Sequence, residues 1–152
     1  YPLRGQRQMC IRDRAITGDM VFAAKSAKFT EAYTRAGVSP DGSSTWFLPR
    51  LIGHTRAMQL ILMNDMLTAE KALEWGLVNE VLDDEQLMTR TLEVAHQLAE
   101  GPTLAYGEAK RLVADSHSNT LETQMELETR AICGLARASA DTKEDAGCCG
   151  SC

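Results

Sequence analysis

Asp19–Gly53 reads DMVFAAKSAKFTEAYTRAGVSPDGSSTWFLPRLIG, and the punctuation of this stretch decides how the chain is divided. Met20–Ala24 (MVFAA) is an unbroken apolar run between Gly18-Asp19 and Lys25-Ser26, which predicts a short buried strand. Gly37–Gly42 (GVSPDG) predicts a loop, because Pro40 pushes Ser39 toward extended geometry and Gly42 tolerates a tight bend. Ser43 and Ser44 then stand where side-chain caps are wanted for a short helix over Thr45–Ile52, which Gly53 ends. Asp41 therefore lies on a loop leading from an extended segment into a helix.

Working outward, His54–Met63 predicts a second helix, with apolar residues at 57, 58, 60, 61 and 62. That coverage runs nearly all round, so deep burial is expected. Thr68 should cap a third helix over Ala69–Trp75, with Gly76 supplying the left-handed residue after it. Leu77–Leu82 (LVNEVL) reads as a short edge strand. Beyond it the pattern is helical over Asp84–Glu100, over Thr103–Ser116 after the Gly101-Pro102 break, and onward from Thr120. Three amphipathic helices with nothing to cover imply a further layer, either an N-terminal half or another subunit. No repeat at a fixed period is visible.

Composition narrows the class. The 152 residues are 44% hydrophobic and 24% charged, as in an ordinary globular domain, and only 5% aromatic, so aliphatic and methionine side chains must fill the core. The longest candidate membrane stretch, Ala57–Met63, is interrupted by Gln59 and falls far short of the roughly 20 apolar residues a spanning helix needs. A net charge of −5 argues against nucleic acid as a partner, which requires clustered Lys and Arg. Five cysteines without regular spacing suit a reducing cytoplasm better than a disulfide framework.

Both ends differ from the body. Residues 1–14 (YPLRGQRQMCIRDR) hold four arginines and neither hydrophobic period, and read as a segment foreign to the rest. Residues 147–152 (GCCGSC) form a Cys-rich tail whose single C-x-x-C, Cys149 and Cys152, lacks the second pair a structural zinc site needs. His54, His96 and His117 are scattered, so no metal site is expected. The division that follows is 1–14, a core region 15–82 containing the Asp41 loop, a helical region 83–146, and the tail 147–152.

From Asp19 to Gly53, and without a gap through RAMQLILMNDMLTAEKALEWGLVNEVL (Arg56–Leu82), the sequence resembles the crotonase superfamily of enoyl-CoA hydratases and isomerases. The segment 84–146 is similar to that family's C-terminal helical region, and Asp141-Thr-Lys-Glu144 to the start of its last helix. The resemblance implies an α/β fold, the C-terminal portion of a spiral ββα architecture, here mostly helical with one or two short strands. It also implies an acyl-CoA thioester substrate, with coenzyme A as part of the substrate and no separate cofactor. A homotrimer or hexamer follows from it as well. The family's oxyanion-hole amides and much of its CoA site belong to an N-terminal half not found in these residues.

The resemblance further implies which chemistry is possible. Hydratases of the family carry a glutamate four residues past the Phe of an Ala-x-Phe motif. Here Ala27-Lys-Phe29 puts Tyr33 at that position, and a phenol with a pKa of about 10 cannot serve as a neutral-pH carboxylate base. Asp41 instead matches the position of the catalytic Asp in the family's isomerases, most of all the ring-epoxide isomerases of phenylacetate breakdown and related double-bond isomerases. A single carboxylate can remove a proton from one carbon and return it at another. Tyr33, Trp46 and Phe47 are expected to line the acyl pocket. Arg50 and Arg56 are weaker candidates for a CoA phosphate.

Plainer roles compete. Asp41 in Asp-Gly-Ser-Ser could simply cap the following helix through its side chain. Trp75 reads as helix-end packing, His54 as a surface residue, and Glu122, Glu126 and Arg130 as i, i+4 pairing on a helix surface. Hydration remains the rival reaction. The rival of another class is a catalytically inert segment or a helical oligomerisation module.

Overall fold

The structure, a computed structural model, describes residues 16–148, with side chains through Ala138. The expectations for residues 1–14, for Asp141 and Glu144, and for the Cys149–Cys152 pair lie outside the described side chains. The chain forms two compact units that meet in sequence between Leu92 and Glu93.

In the first unit β1 (Phe22–Ala24) is shorter than the apolar run MVFAA, and Met20 at the start of that run is exposed. Its partner is β4 (Glu80–Leu82), paired in parallel with Ala23 opposite Val81. Parallel strands cannot be joined by a tight turn, so everything between them is a long crossover. The pairing is extended at both ends. Asn79 brackets Val21, donating its N–H to the Val21 carbonyl (2.8 Å) and accepting the Val21 N–H on Oδ1 (2.7 Å). Beyond Ala24, the Lys25 N–H reaches the Leu82 carbonyl (2.8 Å), and Asp84 accepts the Ser26 N–H (3.2 Å) and the Ser26 hydroxyl.

Within the crossover, β2 (Lys28–Phe29) pairs antiparallel with β3 (Leu67–Thr68). These two-residue strands were not foreseen, being too short to show a period of two. Helices α1 (Ser44–Ile52) and α2 (His54–Met63) pack on each other, and α3 (Ala69–Trp75) follows β3. The ends of α3 form as its sequence predicts. Thr68 Oγ1 accepts the Lys71 N–H (3.3 Å), and Gly76, at φ +80°, donates to the carbonyls of Ala72 and Leu73. Pro49 lies inside α1 and withholds the N–H that would meet the Thr45 carbonyl.

The core gathers Ile16, Ala23, Leu48, Ile52, Leu60 and Leu77 around the fully buried Ala69 and Ala72. Alanine there lets α3 approach the strands closely, while each buried Leu or Ile contributes roughly 1.5–3 kcal/mol. The expectation that α2 is buried all round fails. Ala57, Leu60 and Ile61 face inward, but Met58, Leu62 and Met63 are exposed. A helix covered from one side buries one i, i+3, i+4 arc only, and among the described residues nothing covers the other.

Helix α4 (Leu87–Ala99) leads into the second unit, which holds α5 (Thr103–Asp115) and α6 (Leu121–Cys148). Thr120 accepts the Thr123 N–H (3.3 Å) and so opens α6, as read from sequence. Gln124 ties α6 to the Leu112 carbonyl of α5 (3.0 Å). Arg130 pairs with Glu126 one turn away, and Arg111 with Glu108 and Asp115. Leu104, Val113, Leu121 and Ile132 are exposed, so apolar stripes of these helices stand uncovered. No described helix is long and apolar enough to cross a membrane.

Two outcomes test this description in the full-length protein. Alanine at 76 must adopt a left-handed backbone, so Gly76→Ala lowers the unfolding free energy in urea by roughly 1–2 kcal/mol. The second concerns pH. Hydrogen bonds from the Ser26 hydroxyl and N–H hold the Asp84 carboxyl below its ordinary value. A depressed folded-state pKa stabilises above the unfolded value of about 4, and the stabilisation is lost as pH falls through the lower folded value. Wild type should therefore lose unfolding midpoint relative to Asp84→Asn below about pH 4. Parallel curves for the two proteins would contradict this account.

Candidate active site

A 3-10 turn, Thr34–Ala36, is closed by the Ala36 and Val38 N–H groups on the Tyr33 carbonyl (2.9 and 3.2 Å). Gly37, at φ +74°, ends it. The turn is fastened to the end of α2. Thr34 Oγ1 lies 2.5 Å from the Ile61 carbonyl and 3.0 Å from Asn64 Oδ1, and the Arg35 N–H donates to the same Asn64 oxygen (3.2 Å). Asn64 is itself left-handed (φ +55°), and its N–H caps α2 on the Leu60 carbonyl. Tyr33 is thus held at its backbone while its ring is buried, 8% exposed.

Across from it, Asp41 begins the bend into α1. Gly42 (φ +61°) and Ser43 (φ +69°) are both left-handed. A non-glycine residue in that region costs roughly 1–2 kcal/mol, which the neighbouring contacts must offset. The Asp41 carbonyl accepts from the N–H and the hydroxyl of the fully buried Ser44, each at 3.3 Å. The Ser43 carbonyl receives the Trp46 and Phe47 N–H groups (2.9 and 3.1 Å). The side-chain cap predicted for this helix does not form. Side-chain capping wants an extended N-cap residue, and Ser43 is left-handed. The Asp41 carboxylate does not accept the Ser43 or Ser44 amide either.

The carboxylate is instead exposed to solvent, and its Oδ1 accepts the Tyr33 hydroxyl at 2.7 Å. Among the described residues no hydrogen bond reaches Oδ2. The Tyr33–Asp41 contact was not anticipated from sequence, although their spacing across one loop was visible. The structure brings these two candidates together and leaves the other two apart from that bond. Trp46 is half exposed beneath the Arg50 guanidinium, which sits 3.4 Å from the ring centroid and donates to the Trp46 carbonyl (2.9 Å). Phe47 is half-buried against the core. Arg56 lies over Trp75 at 5.4 Å, and His54 is exposed. Among the described residues no three of His, Cys, Asp or Glu converge on a common point. Asn64, which sequence reading passed over, shows only as the residue that follows a helical apolar run.

Chemically, the pair is a carboxylate open to solvent on one oxygen and held by a neutral phenol on the other. It can take up and return a proton. It offers no second carboxylate at Tyr33.

The profile of the enoyl-CoA hydratase/isomerase family matches residues 13–145. The chain is 45% identical over 130 residues to the 1,2-epoxyphenylacetyl-CoA isomerase of Escherichia coli K12, covering 86% of this chain and 49% of that protein. It is 37% identical over 114 residues to 4-chlorobenzoyl coenzyme A dehalogenase-1 of an Arthrobacter species, covering 75% and 41%. Among solved structures, an enoyl-CoA hydratase from Polaromonas sp. JS666 superposes with a TM-score of 0.82 at 28% identity, covering 93% of this chain and 55% of that one. The crotonase fold and the likeness to a ring-epoxide isomerase read from sequence are borne out. The chain spans about half the length of these relatives or less.

The mount of Tyr33 can be tested through Asn64. Asn64→Ala loses the two hydrogen bonds that Oδ1 accepts and the one that Nδ2 donates to the Leu62 carbonyl, and must also sit left-handed, an expected cost of about 1–3 kcal/mol in urea unfolding. Asn64→Gly loses the bonds without the backbone penalty and should cost about 1 kcal/mol less. Equal losses for the two variants would assign the whole effect to the side-chain bonds.

Proposed function

This chain belongs to the enoyl-CoA hydratase/isomerase family, and from that membership we propose that it is part of an acyl-CoA isomerase whose proton carrier is Asp41. The observation that carries this reading is the solvent-open Asp41 carboxylate facing a tyrosine, not a glutamate, at position 33. Hydration across a double bond needs a water to be activated and a second proton delivered, for which the family uses two carboxylates. One carboxylate suffices to move a proton.

In this mechanism the ionised Asp41 removes a proton from a carbon of the acyl chain. The electron pair passes toward the thioester carbonyl, forming an enolate. Backbone amides aimed at that oxygen stabilise it, typically by ~3–4 kcal/mol per donor, and family likeness assigns them to sequence outside these residues. Protonated Asp41 then returns the proton at a different carbon, so no atom is gained or lost. Tyr33, Trp46 and Phe47 form walls of the acyl site. The 45% identity to an epoxyphenylacetyl-CoA isomerase favours a ring-epoxide or enoyl thioester as substrate, in aromatic or fatty-acid catabolism. Coenzyme A enters as part of the substrate, with no further cofactor. A cytoplasmic homotrimer or hexamer, with no nucleic-acid or membrane partner, completes the proposal. The uncovered apolar stripes on α5 and α6 fit a further layer there, either an N-terminal half or another subunit.

The test uses the full-length protein. Asp41→Asn should cut isomerisation of an enoyl-CoA by roughly 10²–10⁴-fold, the usual worth of a positioned general base. Acyl-CoA affinity and the thermal midpoint should stay near wild type. In ¹⁸O-labelled water the wild-type product should carry no label. Near-normal turnover by Asp41→Asn removes Asp41 from the mechanism, and labelled product makes the enzyme a hydratase.

A further inference from the structure

We propose that Tyr33 is a positioning residue for the proton carrier: its hydroxyl holds Oδ1 of Asp41, so that Oδ2 is the oxygen that exchanges the proton with substrate. This rests on the reading of Asp41 given above. Four observations carry it. The Tyr33 hydroxyl donates to Oδ1 of Asp41 at 2.7 Å, an ordinary O–H···O hydrogen-bond separation. The Tyr33 ring is buried and its backbone is tied through Thr34 and Arg35 to Asn64 and Ile61, so the donor stands on a fixed mount. Asp41, by contrast, is exposed and lies on a loop with two successive left-handed residues, where its side chain would otherwise sample several rotamers. No hydrogen bond meets Oδ2 among the described residues, which leaves that oxygen open to an acyl chain.

The chemistry of the donor matters as much as its place. A Lys or Arg at the same spot would add a full positive charge and weaken the carboxylate as a base. A second carboxylate would repel the first. A phenol orients Asp41 while adding no charge, and it converts a position that hydratases use for a second acid/base group into a brace for the first. A reacting oxygen misplaced by about 1 Å can cost on the order of 10²-fold in rate, so the brace acts on turnover and not on affinity.

The experiment compares full-length wild type, Tyr33→Phe, Tyr33→His and Asp41→Asn on an enoyl-CoA substrate. Tyr33→Phe keeps the buried ring and removes the hydroxyl that donates to Asp41. It should lower kcat by roughly 10- to 100-fold with KM little changed and the thermal midpoint close to wild type. Tyr33→His keeps an N–H donor but is too short to reach Oδ1 from the same backbone position, so its kcat should fall as that of Tyr33→Phe does. Three results overturn the inference. If Asp41→Asn is inactive but Tyr33→Phe keeps full kcat, only the role of Tyr33 falls. If Tyr33→Phe lowers kcat and raises KM in step with a loss of thermal midpoint, the hydroxyl is a structural staple of the loop. If Asp41→Asn turns over normally, the proton carrier and its brace fall together.

Discussion

The parallel pairing of β1 with β4 is the constraint from which the first unit takes its form. Two three-residue strands are a weak ladder by themselves. Asn79 lengthens the ladder at one end, and the Leu82 carbonyl and Asp84 lengthen it at the other. Since parallel neighbours require a crossover, residues 25–79 are enclosed by this one junction, and both members of the Tyr33–Asp41 pair lie inside it. The helices of the crossover then have a defined surface to pack on. Ala69 and Ala72 bring α3 close, while Leu48, Ile52 and Leu60 fill the space between α1, α2 and the strands.

The site depends on that enclosure through a chain of contacts, some between distant segments and some within a single bend. Asn64, at the far end of α2, holds the turn that presents Tyr33. The start of α1 holds Asp41 through Ser44. Because α1 and α2 pack on each other, two loop residues eight positions apart are set by helices on either side. Backbone strain sits in the same place. Ser43 and Asn64 are the non-glycine residues of positive φ among those described, and they flank the two helices that carry the pair. Strain of this kind persists where surrounding contacts over-determine the conformation, and here those contacts also aim a carboxylate.

The second unit is organised differently. Arg111 with Glu108 and Asp115, and Arg130 with Glu126, line helix surfaces that are open to water, where ion pairs contribute little. Its exposed leucines, valine and isoleucine have no cover among the described residues. The same holds for the outer face of α2, where Met58, Leu62 and Met63 stand exposed although the sequence pattern there asks for burial. Pattern reports what a helix can bury, and only neighbours determine what it does bury.

Much was legible without coordinates because it depends on near neighbours in the chain. Thr68 and Gly76 mark the ends of α3, Gly53 separates α1 from α2, and Thr120 opens α6, each by satisfying backbone groups within one turn. The family likeness and the candidacy of Asp41 and Tyr33 were likewise written in one continuous stretch. What the sequence left open was decided by contacts between distant segments. The two-residue pair β2–β3 forms because Phe29 and Leu67 meet across the crossover, and too few residues take part to leave a periodic trace. Asp41 could have capped α1 or faced outward. The choice fell to a left-handed Ser43, which removed the cap geometry, and to a phenol anchored by Asn64, which supplied another partner. A linear chain specifies which groups are available to hydrogen-bond; the tertiary fold determines which of them come within 3 Å of one another.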